Sequence, residues 1–338
     1  MVLPTAPSLR VLAWELTRAC PLACAHCRAE AQPQAGPDEL DTAACRAVID
    51  DVAAMGRSLL ILTGGEPMLR PDFLDVARHA SGRGLMVVAA PCGKFVDATA
   101  VAAMRGAGIH AISLSIDAAQ AEDHDRFRGW PGAFAMVTAA AAAARAGGLP
   151  FQVNTTVHRG NVDQLPALAA LAAYLGAAKW DVFFLVPTGR GRGLAGRELD
   201  AQQTDGALRQ VRAAAAANGL RLKVTCAPQS VRVAAEDGVS VDESGATGCL
   251  GGRSFAFLSA SGQVQICGFL DTPAGSVRER PFSAIWRDSP FLAAIRDRAA
   301  WNSGCGACDH RETCGGCRAR ANAASGDPLA AEPSCPCA

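Results

Sequence analysis

The sequence predicts an α/β fold built on a parallel sheet, followed by a small cysteine-rich unit. Three observations carry that reading. Short β-rich runs alternate with helix-like stretches from residue 11 to residue 186, and chemically suggestive motifs recur just beyond those runs. Most of the cysteines also fall into two groups at metal-ligand spacing, one near each end of the chain. Repeated βα units require a parallel sheet with right-handed crossovers and helices outside.

Taken in order, the strand-like runs cover 11–16, 59–63, 86–90, 111–116, 151–157 and 180–186. Each is short and rich in β-branched, aromatic or other apolar residues. Helix-like stretches lie between them at 41–55, 71–82, 97–107, 132–146 and 163–175. The alanine-rich tract at 139–146 is low in complexity, and alanine's high helix propensity makes it an outer helix. Six such units fall short of the eight that close a barrel, and in parallel barrels chemistry gathers at the C-terminal ends of the strands. A cysteine loop follows the first run, Gly64-Gly65-Glu66-Pro67 the second and Ser115-Ile116-Asp117 the fourth. Asn154 to Thr156 lie in the fifth, and Pro187 to Gly193 follow the sixth.

The chain has 338 residues, half of them apolar and 19% charged, enough for one large domain and a smaller one. A formal charge of zero and a single tyrosine argue against nucleic acid as a main partner. No apolar run reaches the length of a membrane span. The first ten residues, MVLPTAPSLR, have no apolar signal core, so the 14 cysteines read as reduced, metal-binding thiols in the cytoplasm.

The loop CPLACAHC sets Cys20, Cys24 and Cys27 at Cys-x3-Cys-x2-Cys spacing. Three thiolates can hold three corners of an iron–sulfur cube and leave the fourth iron open for reaction. Gly64 and Gly65 permit close backbone approach to a ligand, and Glu66 supplies a charge that can hold an ammonium.

Together these motifs resemble the radical S-adenosylmethionine (SAM) superfamily with a C-terminal SPASM-type auxiliary-cluster domain, over nearly the whole chain. The resemblance implies a partial, TIM-like (β/α)6 barrel over 1–220 and an auxiliary iron–sulfur unit over 221–338. It implies that Cys20, Cys24 and Cys27 hold a [4Fe–4S] cluster whose open iron is chelated by the amino and carboxylate groups of SAM. Reduction then releases a 5′-deoxyadenosyl radical. By the same resemblance Gly64, Gly65, Glu66 and Pro67 bind the SAM amino group. Ser115 and Arg128, the latter followed by Gly129, take its carboxylate or ribose. Asn154, Leu185 and Val186 contact adenosine. His26 stands where the family usually carries an aromatic residue and packs near cluster and adenine.

The C-terminal third holds Cys249-x12-Gly262-x4-Cys267, then Cys305-x2-Cys308-x5-Cys314-x2-Cys317, and finally Cys335. This resembles the seven-cysteine SPASM pattern, although the last internal spacing is usually three residues. By analogy Cys305, Cys308, Cys314 and Cys335 hold one auxiliary cluster, and Cys249, Cys267 and Cys317 serve another. Cys226 completes the second set, or an iron stays open there, so one or two auxiliary clusters are expected. Cys337 is spare or an alternative to Cys335, and Cys45 and Cys92 read as small buried apolar residues. Paired Cys-x2-Cys is also a zinc signature, but a five-residue loop is short for a ribbon and would leave Cys249 and Cys267 idle.

Within the superfamily the chain is most similar to enzymes of haem and haem d1 synthesis that oxidise or remove porphyrin side chains. Segments 183–191, 225–228 and 314–320 carry that similarity, and mycofactocin-type peptide maturases share much of it. A tetrapyrrole needs cations for its propionates, for which Arg18, Arg28, Arg190, Arg192 and Arg253 are candidates beside surface charge. His158 is a haem-iron ligand or a structural histidine. The implied reaction abstracts hydrogen from a propionate, expels carbon dioxide, leaves a vinyl group and passes the surplus electron to an auxiliary cluster. The alternatives are maturation of a ribosomal peptide and a non-catalytic iron–sulfur or zinc scaffold. The intact Cys20, Cys24, Cys27 and Glu66 set opposes the scaffold. The resemblance also implies a low-potential electron donor such as flavodoxin or ferredoxin.

Overall fold

The computed structural model describes residues 7–240, 248–301 and 304–337. All six expected strands form: β1 (Val11–Glu15), β2 (Leu59–Thr63), β3 (Met86–Ala89), β4 (Ile109–Ser115), β5 (Phe151–Val157) and β6 (Lys179–Phe184). They lie side by side in chain order and all neighbours are parallel. The sheet continues past residue 220, because β7 (Leu222–Thr225) adds in parallel to β6. On the opposite edge β8 (Phe255–Leu258) pairs in parallel with β1 and starts an antiparallel run through β9 (Gln263–Gln265) and β10 (Gly275–Ser276). The result is an open ten-stranded sheet with β1 near its middle. That position matters, since β1 leads directly into the cysteine loop.

The helices up to residue 236 are α1 (Thr42–Ala54), α2 (Phe73–Gly82), α3 (Ala98–Gly106), α4 (Ala121–Arg128), α5 (Ala133–Ala146), α6 (Leu165–Leu175), α7 (Ala201–Ala217) and α8 (Ser230–Glu236), and short helices follow in the C-terminal unit. Asp41 and Asp97 cap α1 and α3 by accepting an N–H in the first turn, and Asp200 and Gln203 form a reciprocal capping box on α7. In α5 the buried Ala140, Ala141 and Ala144 have no bulk to hold the helix off the sheet. The barrel core runs from Leu12 and Trp14 through Leu62 and Val87 to Trp180, all at most 1% exposed. Truncating such a residue to Ala costs about 2–5 kcal/mol. The Trp180 indole donates to Thr155 Oγ1 at 2.9 Å, so its one polar atom is satisfied. Among the described residues no helix is long and apolar enough to cross a membrane.

Candidate active site

The cysteine loop is clamped from all sides before any ligand is considered. Glu15, at the end of β1 and 1% exposed, binds Arg18 and Arg28 at 3.0 Å each, tying together the two sides of the loop. Arg28 also lies 4.3 Å over the Phe257 ring of β8, which joins the loop to the auxiliary unit. Cys20 donates its N–H to Gln32 O at 2.7 Å and Ala25 donates to Phe127 O at 2.9 Å. Arg190 donates through Nε to Cys24 O (2.9 Å), through Nη1 to Ala31 O (2.8 Å) and through its backbone N–H to Cys27 O (3.0 Å). Gly189 has φ 55, and a side chain there would place Cβ 2.5 Å from the carbonyl oxygens of Cys27 and Arg28.

Each thiol of the loop receives one donor: Leu22 N–H to Cys20 Sγ (3.5 Å), Ala31 N–H to Cys27 Sγ (3.5 Å) and Arg128 Nη1 to Cys24 Sγ (3.9 Å). Donors of this kind stabilise thiolate ligands and tune cluster potential. Burial pushes the Cys20 thiol up to about 12 and raises Cys24 as well. Metal binding must therefore release protons here.

The Gly64–Pro67 turn lies directly against this loop. Gly65 donates to Thr17 O and Glu66 to Ala19 O, both at 2.7 Å. A Cβ on Gly65 would sit 2.7 Å from Ala19 C and 2.8 Å from Arg18 O. The glycines thus allow backbone to meet backbone. Glu66 is fully buried; its Oε1 accepts from Met68 N–H (2.9 Å) and its Oε2 from Cys92 N–H (2.5 Å). Burial holds its carboxyl above the usual range, and among the described residues no Lys, Arg or His pairs with it. A buried carboxylate lacking a cation is costly, so the position fits an ammonium group. Cys92 is half-buried with its thiol against Glu66, so it belongs to this site as well as to the packing expected of it.

Arg128, at the end of α4, pairs with the buried Asp117 (Nη2 to Oδ2, 2.5 Å) while reaching Cys24. Burial opposes the Asp117 charge, but Arg128, His26 and His124 hold its carboxyl down to about 2. His26 stacks on Phe127 (centroids 4.4 Å, 6° apart), and Phe127 stacks on His158 at 4.7 Å. Burial, then Arg128, pushes His26 down to about 3, so the ring is neutral, and its Nδ1 is buried without a hydrogen-bond partner among the described residues. His158 Nδ1 accepts from Gly160 N–H at 2.9 Å. Ser115 ends β4 in register with Asn154 of β5, whose Oδ1 accepts from Gln152. Leu185 is buried just beyond β6.

Two further thiol groups stand in the C-terminal unit. Cys305, Cys308, Cys314, Cys335 and Cys337 line one small pocket together with Glu332. Backbone N–H groups of Glu332, His310 and Gly316 donate to the sulfurs of Cys305, Cys308 and Cys314, each at 3.4 Å. The other group joins Cys226, at the end of β7, to Cys249, Cys267 and Cys317. A hydrogen bond between the Cys226 and Cys317 thiols leaves the proton on Cys226 and favours thiolate on Cys317. Both donor sets are all-sulfur and supplied with N–H donors or with charge, which fits iron–sulfur clusters. Among the described residues no three potential ligands converge as they would on a single ion.

A cleft of about 570 Å³ is lined by Pro187, Thr188 and Arg192 from the segment after β6 and by Phe269, Asp271 and Asn322 from the C-terminal unit. The five arginines considered for propionates divide accordingly. Arg28 and Arg190 are spent on the cysteine loop, and Arg253 donates to Glu312 O. Arg18 and Arg192 keep their side chains 53% and 60% exposed while pairing with Glu15 and Glu30. The sequence offered no sign of Glu15, whose role appears only once β1 and the loop are folded together.

This fold and these three thiol sites define the class: the chain belongs to the radical SAM superfamily and carries a SPASM domain. The Radical SAM superfamily model matches residues 14–172, and the iron-sulfur cluster-binding SPASM model matches residues 249–309. Its cofactors are accordingly a [4Fe–4S] cluster with SAM and auxiliary iron–sulfur clusters, and it is an enzyme. The chain is 40% identical to the AdoMet-dependent heme synthase of Nitratidesulfovibrio vulgaris, over 97% of this chain and 92% of that one. The AdoMet-dependent heme synthase of Methanosarcina barkeri is also 40% identical, over 96% of each chain. The PqqA peptide cyclase of Methylobacterium sp. is 32% identical, over 99% of this chain and 88% of that one. Two solved structures share the fold. One is native anSMEcpe with bound AdoMet (TM-score 0.74, 14% identity, 97% of this chain and 94% of that one). The other is Streptococcus suis SuiB bound to precursor peptide SuiA (TM-score 0.73, 15% identity, 96% and 75%).

Proposed function

We propose that the chain is an oxidoreductase that converts propionate side chains of a porphyrin to vinyl groups with loss of carbon dioxide. The observation that carries this is the 40% identity to AdoMet-dependent heme synthases over nearly the full length of both chains. When bound, the cluster and SAM supply a 5′-deoxyadenosyl radical that removes a hydrogen atom from the substrate.

The chain's own residues do the rest. Cys20, Cys24 and Cys27 hold the reactive cluster, with Glu15 and Arg190 fixing their loop. Glu66 takes the SAM ammonium, beside Gly64, Gly65 and Pro67. The polar groups of Ser115, Asn154 and Arg128 face the rest of SAM, with Leu185 as apolar wall and the neutral His26 ring packing beneath. The cleft is the substrate site: Phe269 supplies apolar surface for a flat ring, Arg192 in its lining offers a cation to carboxylates, and the exposed Arg18 is a further candidate. Cys305, Cys308, Cys314 and Cys335 hold one auxiliary cluster; Cys226, Cys249, Cys267 and Cys317 hold the other. Radical chemistry belongs to 1–220 and electron acceptance to 221–338, in the reducing cytoplasm, with a flavodoxin or ferredoxin as donor.

A second reading, maturation of a ribosomal peptide, is favoured by the 32% identity to a PqqA peptide cyclase. Anaerobic incubation with reductant, SAM and an iron-loaded porphyrin bearing propionates separates them. The porphyrin reading expects the porphyrin to lose one carbon dioxide and two hydrogens per side chain. Turnover of a precursor peptide with the porphyrin untouched would reverse the choice.

A further inference from the structure

Glu332 is fully buried, and each of its polar groups meets a different part of the auxiliary unit. Its Oε2 accepts the backbone N–H of Cys317 at 2.7 Å. Its Oε1 accepts from Ser334 N–H (3.0 Å) and pairs with Arg320 Nη1 (3.2 Å). Its own N–H donates to Cys305 Sγ at 3.4 Å. Arg320, 3% exposed, donates through Nη2 to the carbonyls of Leu185 (3.1 Å) and Cys226 (3.0 Å), with its Nε 3.5 Å from Glu198. One ion pair therefore touches one thiol group at Cys226 and Cys317, the other at Cys305, and the barrel at Leu185.

The geometry at Cys226 makes this more than packing. Its φ is 62, a left-handed conformation that a residue with a side chain adopts only when its surroundings impose it. Arg320 grips the carbonyl that this turn directs. A buried ion pair gives little net stability, because desolvation offsets its attraction. Its charges nevertheless act strongly on neighbouring groups, and Arg320 is the cation beside the Cys226 and Cys317 thiols.

We propose that Glu332 and Arg320 are positioning residues that hold the two auxiliary sites in register with each other and with the barrel, and set the potential of the Cys226/Cys249/Cys267/Cys317 centre. This rests on reading those four thiols as one cluster site. Reduction adds negative charge, so a nearby cation favours the reduced cluster and a nearby anion opposes it. Glu332→Gln removes the anion, leaves Arg320 uncompensated and should raise that centre's potential. Arg320→Gln should lower it, and Arg320→Lys, which keeps the charge, should stay near wild type.

The test is a redox titration of the anaerobically reconstituted full-length enzyme, followed by electron paramagnetic resonance, with iron counted per chain. Opposite shifts in Glu332→Gln and Arg320→Gln, with recovery in Arg320→Lys, are the expected result. Shifts of the same sign, or none with iron content intact, overturn the electrostatic role. Should a variant lose iron, the proposal expects both auxiliary sites to empty while the SAM-responsive signal persists; loss from one auxiliary site alone overturns the coupling. Wild-type protein holding no auxiliary iron would instead refute the cluster reading of the four thiols, and this proposal with it.

Discussion

Gly65→Ala places a methyl group where the structure has none to spare. The new Cβ would meet Ala19 C at 2.7 Å and Arg18 O at 2.8 Å, and backbone cannot swing aside as a side-chain tip can. Forcing a carbon into such a contact costs about 1–3 kcal/mol. Separating the strands also weakens Gly65 N–H to Thr17 O and Glu66 N–H to Ala19 O, each worth about 1 kcal/mol. The strain falls on the residues just before Cys20 and on the Glu66 turn. A penalty of about 2 kcal/mol on a marginally stable assembled site lowers the ratio of assembled to disassembled forms roughly thirtyfold. The assay is iron content after anaerobic reconstitution, then 5′-deoxyadenosine formed on reduction with SAM; both should fall at least tenfold. Gly106→Ala in α3, whose Cβ would meet nothing within 4 Å, is the control and should be neutral or stabilising by about 0.5–1 kcal/mol. Normal iron and normal SAM cleavage in Gly65→Ala would refute the argument that this turn is pressed against the cysteine loop.

Three other outcomes follow from the structure. Arg190→Ala removes two charged hydrogen bonds to carbonyls of the cysteine loop, costing roughly 3 kcal/mol locally, so iron loading should drop; normal loading with only a raised porphyrin KM would mean that Arg190 serves substrate instead. Burial, then Arg128, holds His124 down to about 4 against an ordinary value near 6.5. The unfolded chain thus binds the proton first, and stability should fall as pH drops from about 6.5 toward 4, by at most about 1.4 kcal/mol per pH unit from this group. His124→Gln should flatten that slope in urea titrations, and an unchanged slope would contradict the buried neutral ring. Cys226→Ser should lower auxiliary iron while sparing SAM cleavage to 5′-deoxyadenosine; unchanged iron would remove Cys226 from the ligand set.

Much of the fold was legible because parallel strands buried on both faces carry strong local signals. The runs at 59–63 and 151–157 form strands with those bounds, and the other strands and the helices differ by only a few residues. α4 was missed because AEDHDRFR is mostly charged and shows no apolar stripe, yet it delivers Arg128 and Phe127 to the site. β7 and β8 are four residues each, too short for periodicity to reveal, and only pairing with β6 and β1 defines them. The cysteine motifs were readable because ligand spacing is local. The partners of those ligands were not. Glu15, Asp117 and Arg190 lie on other elements, and their reach across the barrel depends on register. Two of the five candidate arginines turn inward for the same reason: Arg28 pairs with the buried Glu15 carboxylate and Arg190 donates to carbonyls of the cysteine loop, which their place in the sequence did not reveal.

The central claim is a three-thiol cluster whose open iron meets SAM. Electron paramagnetic resonance of anaerobically purified, reduced enzyme measures it directly, with and without SAM. A low-potential cluster signal that changes when SAM is added, and that vanishes in Cys24→Ala together with 5′-deoxyadenosine formation, is the predicted result. A signal indifferent to SAM, or Cys24→Ala protein that still cleaves SAM, would contradict the account.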